Sequence, residues 1–213
     1  MIIAVDGTSA SGKGTLAKGL AQHFNLAHLD TGTLYRGVAV RLIHHNAHAT
    51  SPQQEETLAI AEAKQLQPSD LADPRLRFEA TANLASKVAK IEGVRAALLD
   101  WQRDFALNPP KGKQGAVLDG RDIGTVVLPE ADIKFFCTAR LDIRAKRRYD
   151  ELDARGESVD LAAVLRDLQA RDTQDSNRQH APLTKASDAI PLDTSAVGVD
   201  GMIKMALEAI QNR

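Results

Sequence analysis

One cysteine in 213 residues, Cys137, rules out a disulfide framework within the chain. It stands in an apolar run, where an inert core thiol is expected rather than a nucleophile. An excess of either charge is also missing. The chain has 27 Lys and Arg against 28 Asp and Glu, a formal net charge of -1. No global field therefore draws it to nucleic acid or to a membrane, and any polyanion site must be a local concentration of Lys and Arg. No stretch approaches the ~18 apolar residues that span a bilayer. The opening MIIAVDG has no basic flank and is too short for a signal peptide, so a cytoplasmic location is expected. Internal repeats and long low-complexity segments are absent too.

What is present is a 43% hydrophobic chain of a size for one globular unit, with room for a mobile subdomain. Short apolar runs alternate with helical patterns, which predicts an α/β fold with a mainly parallel sheet. The runs at Ile2 to Asp6, Leu26 to Asp30, Ala116 to Asp119, Ile133 to Cys137 and Ala189 to Asp193 are too short for helices and rich in Val, Ile, Leu or Phe. Most end at or beside Asp or Cys, and parallel α/β proteins place ligands at the C-terminal ends of their strands. Apolar stripes at helical spacing predict core-facing helices: Leu16, Leu20 and Phe24; Val94, Leu98, Trp101 and Phe105; Leu161, Val164, Leu165 and Leu168; Ile203, Leu207 and Ile210. The polar, Ala/Gln-rich stretch from about His44 to Arg75 reads as short helices joined by loops outside the sheet. Lys111 to Gly115 reads as an exposed loop.

Between the first strand and the first helix stands Gly7-Thr8-Ser9-Ala10-Ser11-Gly12-Lys13, which matches G-x-x-x-x-G-K in the context that motif requires. Glycines let the backbone curl so that several N–H groups point at one anion. The helix N-terminus adds free donors and a favourable dipole. Lys13 adds a point charge for terminal phosphates. The usual hydroxyl after the lysine is replaced by Gly14 and appears one residue later, at Thr15. Direct Mg²⁺ ligation from position 14 is therefore impossible. Thr15 is expected to meet a phosphate, and the metal to be held by nucleotide oxygens and water.

Gly12-Lys13-Gly14-Thr15, Asp30-Thr31-Gly32, Tyr35-Arg36, the block Leu118 to Val127 (LDGRDIGTVV), the spacing Arg171-Asp172-x-x-Asp175-x-x-Arg178 and Ala181-Pro182-Leu183 together resemble the bacterial cytidylate kinases across essentially the whole chain. The block and the RDxxDxxR spacing carry the resemblance; the phosphate loop alone would not. The resemblance implies a single P-loop kinase domain over 1–213, with a five-stranded parallel sheet flanked by helices. Its core is expected at 1–30, 107–140 and 179–213, a monophosphate-binding region at about 31–106 and a lid at about 141–178. It implies transfer of the γ-phosphoryl group of ATP to CMP or dCMP with Mg²⁺, by a monomer that binds neither nucleic acid nor membrane. Family members often carry a small antiparallel sheet in the monophosphate-binding region. Here residues 48 to 78 are fewer and show no β alternation, so a reduced insert is expected.

By the same resemblance, residues 7–15 (Gly7, Thr8, Ser9, Ala10, Ser11, Gly12, Lys13, Gly14 and Thr15) hold ATP. Thr8 replaces a common proline. Arg36, Arg121 and Arg178 match the residues that grip the acceptor phosphate, a task suited to the planar guanidinium fork; otherwise they are surface arginines in salt bridges. Asp122 matches the carboxylate that accepts from the cytosine C4 amine, with Ser86 and Arg95 completing the base contacts. Thr31, Arg171 and Asp175 match ribose contacts; read without the family, Arg171 and Asp175 are an i,i+4 surface pair. Asp119 ends a strand where it can order Mg²⁺ through water, or simply cap a turn.

Arg140, Arg144 and Arg148 recur every four residues, with Lys146 and Arg147 beside them. The strip reads as a solvated face, as a nucleic-acid surface without the aromatic interleaving or basic excess expected of one, or as charge that meets a moving phosphoryl group. In a monophosphate-kinase lid, a hairpin from Leu141 to Arg178 broken at Gly156, the third applies. Lys13, Arg144 and Arg148 are then the catalytic candidates. No general base is needed, because the attacking phosphate oxygen is already ionised. Other small P-loop kinases, for adenylate or shikimate, are the nearest alternatives, but an adenylate kinase would read DGFPR where this chain has Asp119-Gly120-Arg121-Asp122. A GTP-dependent switch would need a guanine-reading motif such as N-K-x-D, which the chain lacks.

Overall fold

A computed structural model describes residues 1–45 and 51–212. Five strands form one sheet: β1 (Ile2–Gly7), β2 (Ala27–Asp30), β3 (Ala116–Gly120), β4 (Ile133–Thr138) and β5 (Ile190–Asp193), in the order β2-β3-β1-β4-β5. β1 pairs in parallel with β3 and β4, and β4 with β5. All five fall where the apolar runs predict them. β1 is central, and the chain leaves it first to one side and then to the other. Its C-terminal end is therefore the crevice where open parallel sheets bind ligands.

The helices are α1 (Lys13–His23), α2 (Gly32–His44), α3 (Pro52–Lys64), α4 (Glu79–Val88), α5 (Glu92–Leu107), α6 (Leu141–Asp153), α7 (Leu161–Ser176) and α8 (Val199–Gln211). The chain divides into two compact units, one of residues Met1–Leu29 with Ala106–Arg213, the other Asp30–Phe105.

In the first unit, α1 and α8 cover the sheet with Leu16, Leu20, Met202 and Ala206 against Ile3, Val5, Val117, Phe135 and Cys137. The fourth predicted stripe shifts by one residue. Ile203, Leu207 and Ile210 are half-buried at the margin, and Met202 and Ala206 take the centre. Burial drives the Cys137 thiol up to about 12, which makes it the inert core group expected. A smaller core joins α6 to α7 through Ala145, Leu152, Val164 and Leu168. Leu161 departs from the stripe predicted for α7. It is the first residue of the helix and 41% exposed, because Asp160 caps the helix there, accepting from Ala163 N at 3.0 Å, and brings the chain in from solvent.

The second unit is helical among its described residues, with α2 packed by α3 and α4. Leu34, Val38, Leu42, Ala59, Leu66, Val88, Val94 and Leu98 are buried, while Trp101 and Phe105 are half-buried. Ser51 caps α3 by accepting from Gln54 N, with Pro52 at the first helical position. Arg41 ties the polar segment down, donating to Glu62 at 2.7 Å and to Asp70 at 3.1 Å. Two short helical turns follow, Pro68–Ala72 and Pro74–Arg77, and no strand occurs among the described residues of 51–78. Residues 46–50, part of the polar stretch and of the expected reduced insert, lie outside the described residues.

Gly7 closes β1 with φ +155, and a Cβ there would stand 2.2 Å from the Cys137 carbonyl oxygen on β4. Gly112, at φ +88 in the exposed loop, has nothing within 4 Å of such a Cβ. Gly112→Ala is expected to cost about 1 kcal/mol, the backbone cost alone. Gly7→Ala must also displace a strand carbonyl and is expected to cost more than about 3 kcal/mol. Paired denaturant titrations check the contrast; equal losses would show that the contact at Gly7 relaxes freely.

Candidate active site

From Gly7 the chain turns through Ala10, at φ +58, and Gly12, at φ +87, into α1. No side chain caps α1, and its first turn carries no acidic residue. Its leading N–H groups are thus left for an external anion. Lys13 curls back over the loop, donating to the Thr8 carbonyl at 3.4 Å. The hydroxyls of Thr8 and Ser11 are buried without a hydrogen-bond partner. The loop is braced from behind. Thr194, after β5, donates its hydroxyl to the Ser11 carbonyl at 2.8 Å, and Arg147 of α6 donates to Thr194 Oγ1 at 3.0 Å and to its carbonyl at 2.6 Å.

Ser9 is where the basic residues gather. Its hydroxyl accepts from Arg121 Nη2 at 2.7 Å, and its carbonyl accepts from Arg144 Nη1 at 3.3 Å. Arg121 turns its Nε to Asp175 Oδ2 at 2.7 Å, and Arg178 pairs with the other oxygen of the same carboxylate. Asp175 is only 4% exposed. Burial alone would raise its pKa, but the two guanidiniums outweigh it and hold the carboxyl below its ordinary value. Asp175 is thus no surface residue. It is the buried anion that fixes two arginines beside the phosphate loop.

The basic strip on α6 is likewise no uniform solvated face. Arg140 is open, at 67% exposed, and pairs with Asp142. Arg144 is buried, held by Asp172 at 2.7 Å and by the Ala139 carbonyl at 2.8 Å. Arg148, one turn further on, pairs with Glu151 at 2.8 Å. Every fourth residue lies on one side of a helix, but α7 packs against that side unevenly and covers Arg144. Arg171 is half-buried on α7.

The loop after β3 is set by a residue the motifs do not point to. Asp6, 4% exposed, accepts from Ile123 N at 2.8 Å and Gly124 N at 2.7 Å. This anchors Arg121 and Asp122 before one wide helical turn, Ile123–Val127, in which the Asp122 carbonyl accepts from Val127 N. Asp122 itself is buried. Burial raises the Asp6 carboxyl to about 6, against the two backbone N–H groups, which lower it. The only sequence signal for Asp6 is the general one, a carboxylate at the end of a parallel strand.

Asp119, at the end of β3, meets His28 Nε2 at 2.7 Å, and its Oδ2 lies 3.6 Å from where a Cβ on Gly14 would be. No group of three or more His, Cys, Asp or Glu among the described residues could enclose a metal.

The remaining predicted residues belong to the second unit. Thr31 is buried at the start of α2. Arg36 Nη2 donates to Asp30 Oδ2 at 2.5 Å, and Gly32 N to Asp30 Oδ1 at 2.9 Å. Ser86 is half-buried on α4. Arg95, on α5, donates to the Ala89 carbonyl and stacks its guanidinium 5.7 Å from the centre of the Tyr35 ring. Asp30 and Tyr35 thus place the two predicted site arginines of this unit, Arg36 and Arg95.

A parallel sheet with a phosphate loop leaving its central strand, backed by a two-helix arginine hairpin, defines a P-loop kinase fold. A solved structure of an uncharacterized protein from Eubacterium ventriosum shares the fold over 100% of this chain and 99% of its own, with a TM-score of 0.57 at 17% identity. The family model for cytidylate kinase matches residues 3–212. A cytidylate kinase of Methylocella silvestris is 51% identical over 212 residues, 100% of this chain and 94% of that protein. One of Paramagnetospirillum magneticum is 50% identical, over 100% and 98%. The chain belongs to the cytidylate kinase family.

Asp6 has a pH consequence. The folded state holds its proton more tightly than the unfolded chain, so its contribution is fully present below pH ~4 and is lost as pH rises through about 6. A shift of about two units corresponds to ~3 kcal/mol. The stability of the wild-type protein minus that of Asp6→Asn is expected to shrink by up to that amount between pH 4 and 7. Urea titrations across that range measure it; a constant difference would rule the effect out.

Proposed function

We propose that the chain transfers the γ-phosphoryl group of ATP to CMP or dCMP. The observation that carries this reading is Arg121, a cation held between the hydroxyl of phosphate-loop residue Ser9 and buried Asp175. Donor loop and acceptor arginine share one hydrogen-bonded assembly. Residues 7–15 hold the ATP phosphates on the amides of the loop and of α1, with Lys13 as the point charge. Arg36, Arg121 and Arg178 take the acceptor phosphate. Asp122, Ser86 and Arg95 read the base, and Thr31, Arg171 and Asp175 hold the ribose. Arg144 and Arg148 meet the charge that spreads over the moving phosphoryl group.

The residues present suit Mg²⁺ bound with the nucleotide. Gly14 offers no hydroxyl, and a carboxylate beside it, Asp119, suits an ion that keeps several waters. Mg²⁺ would supply charge neutralisation to the phosphates. A monomer is the proposed working unit. No helix among the described residues is long and apolar enough to cross a membrane, and a cytoplasmic nucleotide pool is the proposed setting. Assaying ATP with CMP, dCMP, UMP, AMP and GMP tests the reading; an acceptor other than a cytosine nucleotide in first place would overturn it.

Cytosine is preferred to uracil because the Asp122 carboxylate accepts from the C4 amine, whereas uracil would set a carbonyl against it. A good base contact is worth about 1–3 kcal/mol, roughly 5- to 150-fold. Asp122→Asn is expected to narrow the CMP/UMP ratio of kcat/KM by a factor in that range, with the fold intact by circular dichroism. An unchanged ratio would leave Ser86 and Arg95 as the readers.

Arg148→Ala is expected to lower kcat by about 10³-fold or more, since a transition-state arginine supplies that much, with a much smaller change in KM for CMP. Steady-state kinetics decide it; a change confined to KM would make Arg148 a ground-state contact.

A further inference from the structure

β2 alternates, with Ala27 and Leu29 in the core and His28 and Asp30 half-buried. The His28 imidazole, 18% exposed, meets a carboxylate that is itself 4% exposed, with Nε2 2.7 Å from Asp119 Oδ1. An ionised carboxylate only accepts, so Nε2 carries the hydrogen. The last torsion of an aspartate is soft and nearly two-fold. A donor on one oxygen therefore constrains where the other points. Here the other is Oδ2, beside Gly14 in the first turn of α1, at 3.6 Å from the position of an added Cβ. Position 14 brings no side chain to that turn, so the direction of this carboxylate is what the chain controls there.

We propose that His28 is a positioning residue for metal–nucleotide binding. Its Nε2–H holds Asp119 so that Oδ2 is presented to the hydrated Mg²⁺ of the nucleotide at the start of α1. This rests on reading Asp119 as the water-mediated Mg²⁺ contact. His28 touches neither nucleotide nor metal and acts through Asp119. Groups that orient metal-binding side chains typically govern 10- to 100-fold in metal affinity, and a contact through water falls at the lower end.

The test is ATP binding by titration calorimetry, without acceptor, in EDTA and in excess Mg²⁺, for the wild-type chain, His28→Leu, His28→Gln and Asp119→Asn. The quantity read is the tightening that Mg²⁺ brings. His28→Leu is expected to lose about tenfold of it while ATP affinity in EDTA stays within about twofold. His28→Gln, whose amide can donate to the same oxygen, should restore most of the loss. Asp119→Asn should lose at least as much as His28→Leu. If Asp119→Asn loses the tightening and His28→Leu keeps it, the role of His28 is overturned. If Asp119→Asn keeps it, the reading of Asp119 fails and the role of His28 fails with it. Should His28→Leu not fold, as judged by circular dichroism, His28→Asn replaces it, since its amide is too short to reach Asp119. Equal losses in EDTA and in Mg²⁺ would mark His28 as structural and overturn the proposal.

Discussion

Everything in the candidate site depends on one close approach, the end of β1 lying against the Cys137 carbonyl of β4 with no side chain between them. Because Gly7 lets the backbone turn there, β1 can feed directly into α1, and the uncapped N-terminus of that helix arrives at the C-terminal edge of the sheet. A residue with a Cβ would push the loop off the sheet and carry the amides away from the place where an anion can meet them. The supports around the loop assume this position: Thr194 under Ser11, Arg121 and Arg144 on Ser9.

A second constraint is electrostatic. Binding a triphosphate and a nucleoside monophosphate needs several cations, and cations crowded without partners repel one another. The fold meets this with buried or half-buried carboxylates in fixed pairings. Asp175 holds Arg121 and Arg178, Asp172 holds Arg144, and Asp30 holds Arg36 within its own unit. The pairing keeps the side chains ordered, so less freedom is lost when a phosphate arrives. Asp6 plays a related part through backbone amides, fixing the loop that carries Arg121 and Asp122 at the cost of burying a carboxylate.

Much of this was legible in the residues. Short apolar runs bounded by polar residues can be little else than buried parallel strands, and all five formed where expected. The phosphate loop was legible because its chemistry is local: glycine, lysine and a helix start follow one another along the chain. The hairpin from Leu141 to Arg178 was legible for the same reason, with two helical periods and a glycine between them. The partners of the arginines were not. Arg121 and Asp175 are 54 residues apart, Arg121 and Ser9 are 112 apart, and no periodicity connects them. Arg144 reads as one charge among several in a basic strip, and what buries it, its contacts with Asp172, the Ala139 carbonyl and the Ser9 carbonyl, lies outside the strip.

The sequence by itself determined the strands, the phosphate loop and the types of residue available for catalysis, since these follow from near neighbours and from the 2.0 and 3.6 residue periods. Only the tertiary structure decided which carboxylate holds which arginine, that Asp6 anchors the loop after β3, and that His28 meets Asp119. Most of those contacts join groups far apart in the chain, on different strands, helices and loops. Their energies depend on distance and burial, and neither quantity exists until the chain has closed on itself.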